Sequence, residues 1–131
     1  MFNWLLNLLG VNTPMNSFIP ISGRITSYGY PGDSTPDSNS EAMEGAWDNT
    51  LVDGLSLAVS RDIEAAFRAA GIAPRAFVTL QFSDGTAVKL RWDDRTAASY
   101  NGRPLTGRFD IYGEYSPSRM VDKIVTGFQP A

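Results

Sequence analysis

The sequence contains no cysteine and no histidine among its 131 residues. Without cysteine, the chain has no disulfide, no thiol nucleophile and no thiolate metal ligand. Without histidine, it lacks the usual ligand of catalytic zinc and the base of Ser-His and Cys-His machinery. Any chemistry therefore depends on carboxylate, hydroxyl, amine or guanidinium groups, or on a cation that prefers oxygen ligands. We expect no cofactor and no metal ion.

A strong excess of one charge is also absent. The 11 Lys and Arg residues face 14 Asp and Glu residues, so the net charge is −3. Nucleic-acid binders normally show a basic excess, and we therefore expect no nucleic-acid partner. Residues 1–62 hold seven acids and two bases, whereas residues 63–131 hold seven acids and nine bases. The basic surplus of the second part suits either an anionic polymer or a solvated surface.

Long hydrophobic runs are missing as well. The apolar run at residues 2–9 ends at Gly10 and is far shorter than the roughly 20 residues that span a bilayer. It also lacks the basic start of a secretory signal. Three interpretations stay open: a helix docked on the domain or on a protein partner, an interfacial anchor, and a remnant of an export signal. We divide the chain into an apolar arm and linker (1–22) and one domain (23–131).

Hydrophobic periodicity predicts a mainly β domain with one helix. The clearest element is a hairpin with strands at 77–82 and 87–92, joined through an Asp-Gly pair that tolerates a tight primed turn. The helix is predicted to begin after Ser60 as N-cap and to end at Gly71. Further strands are predicted at 23–28, 55–59, 107–112 and 124–128, with a linker at 16–23 and a loop over 93–104.

Five segments follow one another along this domain: residues 26–30, 57–62, 72–78, 92–96 and 107–111. Their order resembles that of the double-psi β-barrel proteins. The relevant members are the rare lipoprotein A-like proteins, the three-aspartate domain of lytic transglycosylases, and the expansin and family 45 glycosidase barrels. The resemblance covers about residues 23–128. It implies a six-stranded double-psi β-barrel with one inserted α-helix.

Asp110 is the sharpest candidate for chemistry, because Phe109, Ile111 and Tyr112 surround it in the sequence. Apolar surroundings disfavour a charged carboxylate and suit a general acid. A buried aspartate that binds backbone amides gives the same pattern, so both interpretations stay open. The resemblance implies that Asp110 and Asp94 are the catalytic acids. The predicted substrate-binding residues are Tyr28, Tyr30, Asp62, Arg95 and Tyr100.

The resemblance implies a protein that cleaves a cell-wall glycan, peptidoglycan or another β-1,4 glycan, in the manner of a lytic transglycosylase. One carboxylic acid suffices for that reaction, whereas a glycosidase needs two at defined spacing. The alternative is a non-catalytic module on the same barrel, either glycan-binding or structural, such as a component of a phage particle. Both functions favour a protein that is exported to the cell envelope or associated with a virion.

Overall fold

The computed structural model describes residues 17–28, 44–113 and 123–131. Its strands hydrogen-bond in a closed ring of six, in the order β1-β7-β2-β4-β3-β8. A two-stranded hairpin, β5-β6, lies outside the ring. The strands are β1 (Ile19–Tyr28), β2 (Ser56–Val59), β3 (Phe77–Phe82), β4 (Ala87–Arg95), β5 (Ser99–Tyr100), β6 (Arg103–Pro104), β7 (Arg108–Tyr112) and β8 (Ile124–Pro130). The prediction of a mainly β domain with six principal strands is confirmed.

Two parallel strand pairs determine which residues meet in the ring. β1 is parallel to β7, and β2 is parallel to β4. β7 and β2 lie between them as an antiparallel pair. β2 therefore lies between the end of β4 and the middle of β7. This arrangement fixes the position of the candidate site.

The interior of the ring is filled by apolar side chains that alternate along the strands. Trp92, Leu57, Ile111 and Phe109 have no exposed surface. The helix α1 (Arg61–Ala69) places Phe67 against this core, with the Phe67 and Trp92 ring centroids 5.3 Å apart. Each such side chain contributes about 1.5–3 kcal/mol through its burial. Trp92 therefore belongs to the core of the ring.

The structure corrects several predicted boundaries. β1 begins at Ile19 and not near Gly23, because part of the predicted linker pairs with β8. β4 continues through Arg95, so the first residues of the predicted 93–104 loop belong to a strand. That loop also contains the β5-β6 hairpin. A short strand rich in charge lacks the apolar alternation by which strands are recognised.

Two predicted local motifs differ from the observed ones. Ser60 is the N-cap of α1, but its hydroxyl makes no cap hydrogen bond. It donates to Asp62 instead and accepts from the Arg108 amide. In the hairpin turn, Gly85 has a positive φ of 89° and Asp84 does not, which excludes the predicted primed turn with two left-handed residues. Gly71, with φ of 83°, ends α1 as predicted.

In the part of the chain that the structure describes, no helix is long and apolar enough to cross a membrane. The apolar arm at residues 2–9, with the alternatives drawn for it, lies outside the described residues.

Candidate functional site

Asp94 and Asp110 are brought to the two sides of one strand. Ala58 on β2 is in register with Asp94 on β4 and also with Asp110 on β7. Since neighbouring strands lie about 4.8 Å apart, the Cα atoms of the two acids are separated by roughly 10 Å. Residues in register across neighbouring strands project to the same face of a sheet. The two acids therefore share the outer face of the ring, opposite the apolar interior.

β1 supplies a hydroxyl to each acid. Thr26, which is in register with Asp110, donates to Oδ1 of that carboxylate. Tyr28 lies two residues further along the same face and donates through its hydroxyl to Oδ2 of Asp94 at 2.9 Å. Thr26 and Tyr28 alternate with Ile25, which points into the core. One strand thus contributes both to the core and to the site.

The two carboxylates differ in exposure. Asp94 is only 1% exposed, and its other oxygen, Oδ1, accepts the Arg95 amide at 2.9 Å. Both oxygens of Asp94 therefore accept hydrogen bonds from donors within the protein. Asp110 is half-buried. Of these two acids, Asp110 is the one that a large substrate can reach.

A small apolar cluster covers this part of the outer face. It consists of Tyr28, Leu51, Ala58 and Tyr112, all of them buried. The rings of Tyr28 and Tyr112 meet edge to face with centroids 5.5 Å apart. Burial raises the pKa of the Tyr112 hydroxyl, and the nearby Asp53 carboxylate raises it further. Both effects favour the protonated form of the Tyr112 hydroxyl.

Asp62 has structural contacts within the molecule. Its carboxylate accepts the Gly107 amide at 3.0 Å and the Ser60 hydroxyl at 2.6 Å. Ser60 in turn accepts the Arg108 amide. Asp62 thereby joins the start of α1 to the start of β7, although its side chain is also exposed.

Arg95 contacts Glu64 of α1, a residue that the sequence analysis did not associate with it. Its guanidinium binds Glu64 of α1 with two hydrogen bonds, at 2.7 and 3.0 Å, and lies 5.1 Å from the centroid of the Trp47 ring. The hydrogen bonding that Arg95 donates to the Glu64 carboxylate raises the pKa of Arg95. Burial by itself raises the pKa of Glu64, but hydrogen bonds from Arg95 and Arg68 outweigh it, so that the pKa is lowered overall.

Among the described residues, Tyr100 is not brought together with the acids. Tyr100 is 45% exposed on the β5-β6 hairpin, and no contact within the described residues joins it to Asp94 or Asp110. Tyr30 lies outside the described residues. Sequence reasoning missed Thr26, Asp53 and Tyr112. The alternation of Thr26 with Ile25 was the signal that could have identified it, since it predicts a hydroxyl on the outer face.

Asp93 lies next to Asp94 and is fully buried with different partners. Arg75 and Arg91 both contact its Oδ1 through Nε at 2.8 Å, and the Ser56 hydroxyl donates to Oδ2 at 2.5 Å. A bulge in the β2–β4 register at this point allows two consecutive aspartates to have separate surroundings.

Asn49 is a buried polar residue beside this bulge. It is 7% exposed, and among the described residues neither its amide nitrogen nor its amide oxygen has a hydrogen-bond partner. The nearby Gly45 packs so closely on it that a Cβ there would lie 2.8 Å from the Asn49 nitrogen and 2.2 Å from the Asp93 carbonyl oxygen. The turn from Gly45 to Asn49 is therefore pressed against the bulge of β4.

Within residues 17–28, 44–113 and 123–131, no group of three or more acidic side chains is arranged to hold a metal ion. The carboxyl and hydroxyl groups of Asp110, Thr26 and Tyr28 can transfer protons and form hydrogen bonds. Comparisons with protein-family models and with curated proteins found no match to this chain.

Proposed function

We propose that this chain is a double-psi β-barrel protein that cleaves a cell-wall glycan by a lytic transglycosylase-like reaction, with Asp110 as the general acid and base. The observation that supports this most is the half-buried Asp110, which shares the outer face of the ring with the fully buried Asp94. The parallel pairs β1–β7 and β2–β4, which flank one antiparallel pair, support the double-psi interpretation.

Asp110 would act twice in the reaction. Protonated Asp110 gives its proton to the leaving glycosidic oxygen as the bond from that oxygen to the anomeric carbon breaks. The resulting carboxylate then takes the proton from the 6-hydroxyl of the muramic acid, whose oxygen bonds to the anomeric carbon and closes the anhydro ring. A group near an apolar wall suits such a double role. Thr26, which donates to Oδ1, would fix the orientation of the carboxyl group for both transfers.

Asp94 would act through Tyr28 and not on the substrate. Its carboxylate is buried and holds the Tyr28 hydroxyl at 2.9 Å. Tyr28 packs edge to face on Tyr112, which follows Asp110 by two residues on β7. Asp94 is therefore a positioning residue in this proposal, and it fixes the aromatic wall beside Asp110.

The experiment is to incubate the protein with purified peptidoglycan and to search the soluble fraction for anhydro-muropeptides by mass spectrometry. We expect release by the wild type and loss of release in Asp110→Asn. Asp84→Asn is the matched control, because it makes the same change on an exposed turn, and it should leave release unchanged. Equal release by Asp110→Asn and the wild type would contradict the proposal.

The second candidate is a non-catalytic module, either glycan-binding or structural in an assembly such as a phage particle. One observation favours it: both acids have partners inside the molecule, Thr26 for Asp110 and Tyr28 for Asp94. No release of anhydro-muropeptides, together with sedimentation of the protein with peptidoglycan, would support the glycan-binding form. Absence of both would support the assembly role.

A further inference from the structure

Arg75 and Arg91 share one buried carboxylate. Each contacts Oδ1 of Asp93 through Nε at 2.8 Å, so the two Nε atoms lie no more than twice that distance apart. Asp93 has no exposed surface, and among the described residues it is the one carboxylate in an ion pair with either arginine. Arg75 and Arg91 carry two positive charges and Asp93 carries one negative charge. The trio of Arg75, Asp93 and Arg91 therefore has a net charge of about +1.

The arginines face solvent while Asp93 does not. The Arg75 side chain is 45% exposed and that of Arg91 is 20% exposed. Both contacts to Asp93 use Nε, so the terminal Nη atoms, which are the usual partners of a carboxylate fork, are not used in them. The buried carboxylate holds both side chains in place, which reduces the rotamer entropy that a bound anion would otherwise have to remove.

An apolar ring and a third cation lie beside this pair. Phe77 on β3 is the cross-strand partner of Arg91 and is 39% exposed. Lys89 lies on the same strand as Arg91, and its Nζ is 5.0 Å from the centroid of the Phe77 ring. We define these four residues, Arg75, Phe77, Lys89 and Arg91, as the cationic face.

We propose that the cationic face is a binding site for a carboxylate attached to an apolar group, such as the terminal carboxylate of a peptide. The net charge of the Arg75–Asp93–Arg91 trio matches a monoanion, and planar guanidinium groups match the geometry of a carboxylate. Phe77 offers surface to an apolar group beside that carboxylate, and Lys89 raises the local positive potential. The site is independent of Asp110 and of the glycan-cleavage proposal.

The test is a titration with N-acetyl-leucine at low ionic strength, followed by NMR through the Nε–H signals of Arg75 and Arg91. We expect both signals to shift and to saturate. Arg75→Gln should weaken binding at least tenfold, since one guanidinium is lost while Asp93 retains Arg91 and Ser56. Arg103→Gln, which removes the charge of an exposed arginine on β6, is the matched control and should change the affinity less than twofold.

Two further probes separate the parts of the site. N-acetyl-leucine amide has the same apolar group without the charge and should not saturate the signals. Inorganic phosphate has the charge without the apolar group and should bind at least threefold more weakly than N-acetyl-leucine. Phe77→Ala keeps every charge of the cationic face and should lower the affinity for N-acetyl-leucine several-fold. The proposal is overturned by absence of saturation in the wild type, by equal binding of the amide or of phosphate, or by an equal loss in Arg103→Gln and Arg75→Gln.

Discussion

Asp93 and Asp94 are consecutive and both buried, yet different groups compensate their charges. Asp93 is held by two guanidinium groups, whereas Asp94 accepts a tyrosine hydroxyl and a backbone amide. Removing one partner from a buried carboxylate costs more than the hydrogen bond itself is worth, because the charge remains desolvated. The stability of this region therefore depends on individual donor groups.

Tyr28→Phe tests how much the stability depends on the donor to the buried Asp94 carboxylate. The substitution keeps the ring and its contact with Tyr112 but removes the donor to Oδ2. We expect the free energy of unfolding to fall by about 1–3 kcal/mol, measured by urea denaturation. Tyr100→Phe makes the same change on an exposed ring and should have no measurable effect. Equal stability of the two variants would contradict the buried hydrogen bond.

Asn49→Leu tests a buried polar group that has no hydrogen-bond partner among the described residues, in contrast to the Asp94 carboxylate. Neither amide atom of Asn49 has a hydrogen-bond partner in the part of the chain that the structure describes, so the folded state bears their desolvation cost without compensation. Leucine has a similar volume and no polar atoms, and we expect the free energy of unfolding to rise by about 1 kcal/mol. Asn49→Ala should be less stable than Asn49→Leu, because it leaves a cavity. A loss of stability in Asn49→Leu would show that the amide has a partner in solution.

At the scale of elements, α1 is held to the ring by a charged contact as well as by Phe67. Glu64 of α1 binds Arg95 at the end of β4 and Arg68 one turn further along the helix. The pKa of Glu64 lies below its ordinary value of 4.5 in the folded protein. A lowered pKa means that the ionised form is favoured by folding. The contribution to stability is therefore present above pH 4.5 and is lost as the pH falls through the folded-state pKa.

Glu64→Gln should show this dependence. At pH 7 we expect the variant to be less stable than the wild type by about 1 kcal/mol, because the ion pairs with the partly exposed Arg95 and Arg68 are lost. The difference should stay constant down to about pH 5 and shrink at lower pH, as the wild-type carboxyl becomes protonated. Unfolding curves at several pH values provide the measurement. A difference that grows towards low pH would contradict the direction of the pKa shift.

At the scale of the whole molecule, local pattern predicted the elements and the pairing of the two hairpin strands, but not the order of the strands in the ring. Apolar alternation identified the hairpin and β7, and capping residues identified the helix, because these signals lie within a few positions. The ring order depends on contacts between distant segments, such as β1 with β7. The bulge at Asp93 and the two-residue strands have too few residues for any periodicity, and they were missed.

The acids of the candidate site could be predicted from the sequence, whereas their contacts with distant residues could not. Asp110 was predicted from its apolar neighbours and Asp94 from the resemblance, and the ring places both beside Ala58. Their hydroxyl partners on β1 were not identified as such, since Tyr28 lies 66 positions from Asp94 and Thr26 lies 84 from Asp110. Arg95, a predicted substrate-binding residue, also binds Glu64, and this contact could not be predicted because it requires α1 to pack on the end of β4.

The most direct test of the central proposal is the origin of the oxygen at the ends of the released glycan. Peptidoglycan would be digested in water enriched in heavy oxygen (oxygen-18), and the masses of the products would be measured by mass spectrometry. Because the 6-hydroxyl of the sugar attacks in place of water, we predict anhydro ends that contain no heavy oxygen. Products with labelled reducing ends would show hydrolysis, and absence of any product would show that Asp110 is not a catalytic acid on this substrate.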